Sequence, residues 1–319
     1  PHFSTWLGAR SKISIRGEDC MKKLNILVVL LVTVLLVTGC STSKSPENRA
    51  IVIGGKNFTE QDILVYLMKH VIEDQTALTV ETKTFLGGTK IVADALDRGD
   101  IQIYAEYTGT ALINLLKEPL INDPKAAYDK VKSIYRDKKK LEWLEPFGFN
   151  NTYTLTMRGD EAKRLGLKTI SDLAKIGNTL TLGCVAEFIE RPDGLSGLQK
   201  KYGFTFKNSK SMDPGLTYAA VRDKKVDVID GFSTDGRIPA FNLQVLVDDK
   251  QFFPPYYAAP VVRADLLKKH PEIAKALNLL AGKLDDKTMA SLNAKVDLDK
   301  KDPKVVAKEW LQQKGIIKK

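Results

Sequence analysis

Cysteine and histidine are both scarce in this chain, and each scarcity excludes chemistry. The three cysteines, Cys20, Cys40 and Cys184, cannot build a disulfide framework, and their spacing fits no zinc site. Of the three histidines, His2 lies near the N-terminus, His70 in a helical stretch and His270 before Pro271 among lysines. None belongs to an H-E-x-x-H pattern, and neither a G-x-S-x-G elbow nor a Walker-type phosphate loop is present. Cys184, in an apolar stretch, reads as a small buried hydrophobe rather than a nucleophile. An enzyme is therefore not expected, and no cofactor or metal either. Long apolar runs are missing too. The 12 residues from Ile26 to Val37 fall short of the roughly 20 that span a bilayer.

What is present is ordinary globular material, 43% hydrophobic and 28% charged. A length of 319 residues exceeds what one core usually fills, so two lobes are expected. The formal charge is +10; setting aside residues 1–39 leaves 44 Lys+Arg against 37 Asp+Glu, or +7 over 280 residues. The lysines are scattered through helix-like segments and give a mildly basic, solvated surface. Clustered basic residues interleaved with aromatics are lacking, so no nucleic-acid partner is expected. A face turned to anionic lipid would also suit this charge.

From Met21 the chain reads MKKLNILVVLLVTVLLVTGCSTS. Lys22 and Lys23 form a positive n-region, and the apolar run behind them has the length of a signal-peptide core. It ends in Leu36-Val37-Thr38-Gly39-Cys40, which resembles a bacterial lipobox; the resemblance implies that Cys40 becomes the first mature residue and carries a lipid. Residues 1–20 read as an upstream segment, 21–39 as the lipoprotein signal peptide and 40–49 as a flexible tether. The working part is then extracytoplasmic and anchored to the outer face of the cytoplasmic membrane.

Beyond the tether, strand and helix patterns alternate. Ile51 to Ile53 is a short strand, and Thr59 with Asp62 forms a capping-box-like pair before a helix. Val80 to Phe85 and Ile101 to Tyr107 read as strands, with a helix between Gly88 and Gly99 and another from Gly109. After residue 150 come strands at Tyr153–Met157, Leu180–Val185 and Val226–Ile229, then a strand pair, Leu243–Val247 and Ala258–Val262. The tail is helical: Leu266–Leu280, a piece near 287–293, and a last helix with Asp302 as cap, Pro303 at its first position and Gly315 as its stop. This rhythm predicts an α/β class with mixed sheets flanked by helices. Residues 50–150 plus 254–319 form one lobe and 151–253 the other, with ligand binding expected in the crevice at the strand ends.

Unusual residues gather at those strand ends: Lys56; Glu106-Tyr107-Thr108-Gly109-Thr110; Asn150 to Tyr153; Glu187 to Gly194; Asp230 to Asp235; and Pro254 to Tyr257. Tyrosines concentrate in these loops. A cleft lined by tyrosines with one or two cations points to a ligand that is itself a cation with a carboxylate. A quaternary ammonium has no N–H to donate, but aromatic faces hold it at about 0.5–2 kcal/mol each when desolvated. Three or four faces supply roughly half of the about −8 kcal/mol of micromolar binding. A carboxylate wants Arg or Lys.

Gly55-Lys56-Asn57-Phe58-Thr59-Glu60-Gln61, Glu106-Tyr107-Thr108-Gly109-Thr110, Arg191-Pro192-Asp193-Gly194-Leu195 and Phe232-Ser233-Thr234-Asp235-Gly236 together resemble an established family. It comprises the substrate-binding lipoproteins of ABC importers for osmoprotectants: glycine betaine, carnitine, proline betaine and choline. The likeness runs in order from Ile51 to the C-terminus. It implies a type II periplasmic-binding-protein-like fold whose lobes close about a hinge on a cage of four tyrosines. By motif, Tyr107, Tyr153 and Tyr256 match cage members, and Phe232 stands where a fourth tyrosine is usual. Lys56 and Arg191 match the carboxylate grip, Thr110 a nearby hydroxyl donor, and Asn151 the position whose backbone carbonyl borders the ammonium. The departure at Phe232 keeps the π-face and loses a hydroxyl.

The resemblance further implies a monomer that captures a small quaternary-ammonium ligand and delivers it to ABC permease subunits. A choline-selective protein of the same class is the nearest alternative. An amino-acid receptor or a polyanion-binding surface protein is the alternative from another class. Between Tyr256 and Tyr257, adjacent on one strand, the sequence leaves open which faces the ligand. Tyr104 and Tyr218 are expected to pack.

Overall fold

The computed structural model describes residues 50–318; the upstream segment, signal peptide, tether and Cys40 lie outside them. In chain order the strands are β1 (Ile51–Gly54), β2 (Val80–Lys83), β3 (Ile103–Tyr107), β4 (Leu141–Trp143), β5 (Tyr153–Arg158), β6 (Thr181–Cys184), β7 (Asn208–Ser211), β8 (Val228–Phe232), β9 (Leu243–Leu246) and β10 (Ala258–Arg263). They form two five-stranded sheets, ordered β2-β1-β3-β10-β4 and β7-β6-β8-β5-β9. Each is mixed: β1 runs parallel to β2 and β3 while β10 is antiparallel to β3 and β4. In the second sheet β6 is parallel to β7 and β8, and β5 is antiparallel to β8 and β9.

The α/β expectation therefore holds, with helices between the parallel strands as such crossovers require. The chain passes from the first sheet to the second after β4 and returns before β10. The two passages lie side by side: Asn150 and Tyr257 form an antiparallel bridge, and Asn151 N–H donates to the Tyr256 carbonyl at 3.1 Å. Gly109, just after β3, lets that strand end close on the returning passage, because a Cβ there would lie 2.8 Å from the Pro255 carbonyl oxygen. Pro260 sits inside β10 at no ladder cost. Its carbonyl accepts from Leu144 N–H beyond the end of β4, so the missing N–H faces the side where β4 has already stopped.

Several boundaries depart from the sequence reading. The strands Leu243–Leu246 and Ala258–Arg263 do not pair with each other; they belong to different sheets. β4 and β7 escaped notice, β4 for its three residues and β7 because Asn208 to Ser211 are all exposed and polar. The helix expected over Leu266–Leu280 is broken into Ala264–Lys269 and Glu272–Leu277, because Pro271 cannot continue the first. The final helix matches expectation: Asp302 accepts from Lys304 N–H and Pro303 is its first residue. Cys184 is buried, and burial pushes its thiol up to about 12. Among the described residues no helix is long and apolar enough to cross a membrane.

The capping box at Thr59 and Asp62 does not form. The helix Thr59–Gln75 starts one residue early, with Phe58 as its cap residue. Thr59 instead donates its hydroxyl to Asp297 at 2.6 Å, and Asp62 Oδ1 is buried without a partner. Burial pushes the Asp62 carboxyl up to about 7. A carboxyl protonated in the folded chain and ionised in the unfolded one makes the folded chain bind more protons. Its contribution to stability therefore falls as pH rises from the ordinary carboxylate range to about 7. Asp62→Asn is expected to flatten the Tm–pH curve across that window and to raise Tm at neutral pH. A curve parallel to the wild type's contradicts this account.

Candidate functional site

One cavity of about 590 Å³ lies between the two sheets. Lys56, Tyr107 and Thr110 reach it from the first half, Tyr153, Arg191 and Phe232 from the second, and Asn151 and Tyr256 from the two passages. All eight residues singled out by sequence for a ligand therefore line it. Lys56 is only 3% exposed, so it is no surface lysine. Of the adjacent pair, Tyr256 lines this cavity, while Tyr257 borders a separate surface hollow beside Tyr128. Tyr104 and Tyr218 are buried away from it. Tyr104 donates to Glu106, and the Tyr218 hydroxyl accepts from Phe232 N–H.

Strand ends explain the placement. β1 ends at Gly54 and delivers Lys56, β3 ends on Tyr107, β5 begins on Tyr153 and β8 ends on Phe232. Arg191 follows the short helix Ala186–Glu190, in a turn that Gly194 closes. A Cβ on Gly194 would lie 2.0 Å from the Phe188 carbonyl oxygen, which accounts for the glycine in that motif.

The aromatic wall is continuous. Tyr107 stacks on Phe58 at 6.4 Å between centroids, and Phe58 on Phe232 at 5.8 Å with 3° between planes. Phe232 meets Tyr153 at 5.2 Å, and Tyr153 meets Tyr256 edge-on at 5.7 Å. Phe58 is the member that sequence reasoning missed. It stands within the Gly55–Gln61 motif, but an apolar residue ahead of a helix reads as a cap-side contact. Phe232 stacks one face on Phe58, a contact that needs no hydroxyl.

The two cations are buried and partnered. Lys56 Nζ donates to Glu106 Oε1 at 2.6 Å and to Thr89 Oγ1 at 3.0 Å. Arg191 forks onto Asp193, Nε to Oδ1 at 2.9 Å with Nη2 on Oδ2. Its Nη1 donates across the cleft to Thr110 at 3.2 Å and to Glu187 Oε1 at 3.1 Å. Of the two glutamates beside it in sequence, Glu187 is a partner. The guanidinium stands 5.3 Å from the Tyr153 centroid and 5.8 Å from that of Tyr256. Tyr256 donates its hydroxyl to Asp193 at 2.6 Å, so the fork also orients an aromatic face. Burial holds the Tyr153 and Tyr256 hydroxyls far above their ordinary range. The wall thus stays neutral at any physiological pH.

Behind the wall lies a second feature absent from the sequence reading. Glu60 is 2% exposed and accepts four hydrogen bonds from four elements. Tyr107 Oη at 2.7 Å and Asn151 Nδ2 at 2.9 Å share Oε1. Thr234 Oγ1 at 2.5 Å and Asn293 Nδ2 at 3.1 Å share Oε2. Burial pushes its carboxyl up, and those four donors pull it back. Glu60 thereby ties the first helix, the end of β3, one passage, the turn after β8 and the helix Asp286–Asp297 to one point. Asp230 accepts from Val185 N–H, and Asp235 pairs with Arg237.

Over residues 49–313 the chain matches the family described as the substrate-binding domain of ABC-type glycine betaine transport systems. It is 40% identical over 290 residues to a carnitine transport binding protein of Listeria monocytogenes, covering 90% of this chain and 94% of that one. A glycine-betaine-binding protein of Pseudomonas aeruginosa is 39% identical over 278 residues, covering 83% and 88%. Among solved structures, a glycine betaine/carnitine/choline ABC transporter protein superposes with a TM-score of 0.70 at 38% identity, covering 83% of this chain and 99% of that one. The first two relatives are binding proteins, and the solved structure shares the fold described above. With an aromatic-walled cavity between two mixed sheets and a match across nearly all the described residues, this chain belongs to the family of substrate-binding domains of ABC-type glycine betaine transport systems.

Proposed function

We propose that the protein captures glycine betaine or a related quaternary-ammonium solute between its lobes and presents it to an ABC permease. Residues 50–150 with 254–319 serve as one lobe and 151–253 as the other, hinged where the two passages lie together. Tyr107, Tyr153, Phe232 and Tyr256, joined by Phe58, face the trimethylammonium group, whose charge is attracted to ring faces it cannot hydrogen-bond. Lys56, Arg191 and Thr110 take the carboxylate, and Asn151 borders the ammonium. The chain works as a monomer outside the cytoplasm, held to the membrane by a lipid on Cys40. Similarity to a carnitine-binding and a glycine-betaine-binding protein supports this ligand class.

The observation that carries the proposal is the unbroken aromatic wall meeting a buried guanidinium in one cavity. An amino-acid receptor would waste those faces on a primary amine, which prefers hydrogen-bond acceptors. A polyanion binder would need exposed basic clusters. Tyr153→Leu keeps apolar bulk and removes the central ring face. It is expected to weaken glycine betaine and choline alike by roughly 10- to 30-fold, as read by calorimetric titration. Unchanged affinity for both ligands contradicts the cage.

A further inference from the structure

Glu187 has no part in that account, yet it reaches into the same cavity. Its carboxylate holds Arg191, one of the groups assigned above to a ligand's carboxylate. Oε1 accepts from Arg191 Nη1 at 3.1 Å and from Asn114 Nδ2 at 3.2 Å; Oε2 accepts from Thr89 N–H at 3.3 Å. Thr89 is also the hydroxyl that Lys56 grips. Glu187 belongs to the second half and both Thr89 and Asn114 to the first, so the carboxylate bridges the cleft. Burial opposes its ionisation, but the Lys56 and Arg191 cations hold the carboxyl below its usual range.

The charge count gives this contact its consequence. Lys56 is matched by Glu106, and Arg191 by the Asp193 fork. Glu187 is therefore surplus, and these five groups sum to one negative charge. Asp213 lines the same cavity.

Resting on the carboxylate grip proposed above, we propose that Glu187 is the residue that sets the preference between zwitterionic and purely cationic ligands. It is a built-in counter-ion for Arg191. A cation without a carboxylate, such as choline, leaves Glu187 in place and profits from the surplus negative charge. A betaine brings its own carboxylate, and two carboxylates repel across one guanidinium edge. Betaine must therefore displace Glu187 from Nη1, which lowers its affinity by the strength of a charge-assisted hydrogen bond.

The test titrates the full-length chain, in detergent micelles, with glycine betaine and with choline. Glu187→Gln is isosteric and removes only the charge. It is expected to tighten betaine and weaken choline, raising the betaine-to-choline affinity ratio by about tenfold. Glu190→Gln, an exposed neighbour, changes net charge equally and is expected to leave the ratio alone. Should Glu187→Gln melt early, Glu187→Asp withdraws the carboxylate by one methylene and should shift the ratio the same way. If wild type binds betaine alone, tightening of betaine is the expected result and an equal or weaker affinity overturns the proposal. An unchanged ratio in Glu187→Gln, or an equal shift in Glu190→Gln, overturns the role of Glu187 while the cage reading stands. A wild-type chain that takes up neither ligand overturns both.

Discussion

Arg191→Ala is expected to weaken glycine betaine by at least a hundredfold while changing choline by less than about threefold, because only one of the two ligands carries an anion for it. The side chain is 2% exposed, so its charge acts in a poorly solvated setting where an ion pair is strong. Removing it takes away the proposed partner of the ligand carboxylate and strands two carboxylates. Asp193 keeps only the Tyr256 hydroxyl, and Glu187 keeps Thr89 and Asn114. Uncompensated buried charge of this kind costs about 3–5 kcal/mol, so Tm should fall as well. The stranded carboxylates would attract a bare cation, which is why choline is spared. Equal losses for both ligands would overturn the carboxylate grip and leave Arg191 as a structural strut.

Glu60→Ala is expected to be the most destabilising single change in the site region. Four donors converge on that carboxylate, and a methyl group leaves the Tyr107 and Thr234 hydroxyls and the Asn151 amide without an acceptor, while Asn293 Nδ2 keeps the Thr234 carbonyl at 2.9 Å. Each unmet buried donor costs about 1–3 kcal/mol, with partial relief from relaxation. A total near 3–5 kcal/mol lowers Tm by roughly 10 °C. Ligand affinity should fall too, since Tyr107 loses its hydroxyl anchor and Asn151 its place. Glu60→Gln distinguishes a positioning role from simple packing. The Tyr107 and Thr234 hydroxyls can reverse, and Asn151 and Asn293 each hold a partnerless Oδ1 that an amide rotation would present. More than half of the lost Tm is therefore expected to return with Gln. A Tm for Glu60→Ala within about 2 °C of wild type would contradict the hub, since it implies less than roughly 1 kcal/mol.

Much of the site was legible because its residues sit where short motifs end strands. Lys56, Tyr107, Arg191 and Phe232 each follow or end a recognisable element, and the chain brings those ends to one cleft. What stayed hidden depends on contacts distant in sequence. Nothing near Glu60 announces that Thr234 and Asn293 will meet it, and nothing at Glu187 announces Thr89 and Asn114. Strand pairing followed the same division. Apolar runs such as those of β1 and β3 were clear, but the neighbours of Leu243–Leu246 and Ala258–Arg263 are set by the passage between sheets, which local pattern does not encode. Polar β7 has no apolar alternation to betray it. Thr59 and Asp62 matched a capping pattern and folded otherwise, because Asp297 captures the Thr59 hydroxyl. A tertiary partner outcompeted a local one there.

The central claim is that the cavity takes a quaternary-ammonium zwitterion, and calorimetric titration of the purified chain with glycine betaine and choline side by side tests it most directly. The account predicts saturable one-site binding of glycine betaine, of about micromolar order, with choline weaker. The absence of saturable betaine binding would contradict it.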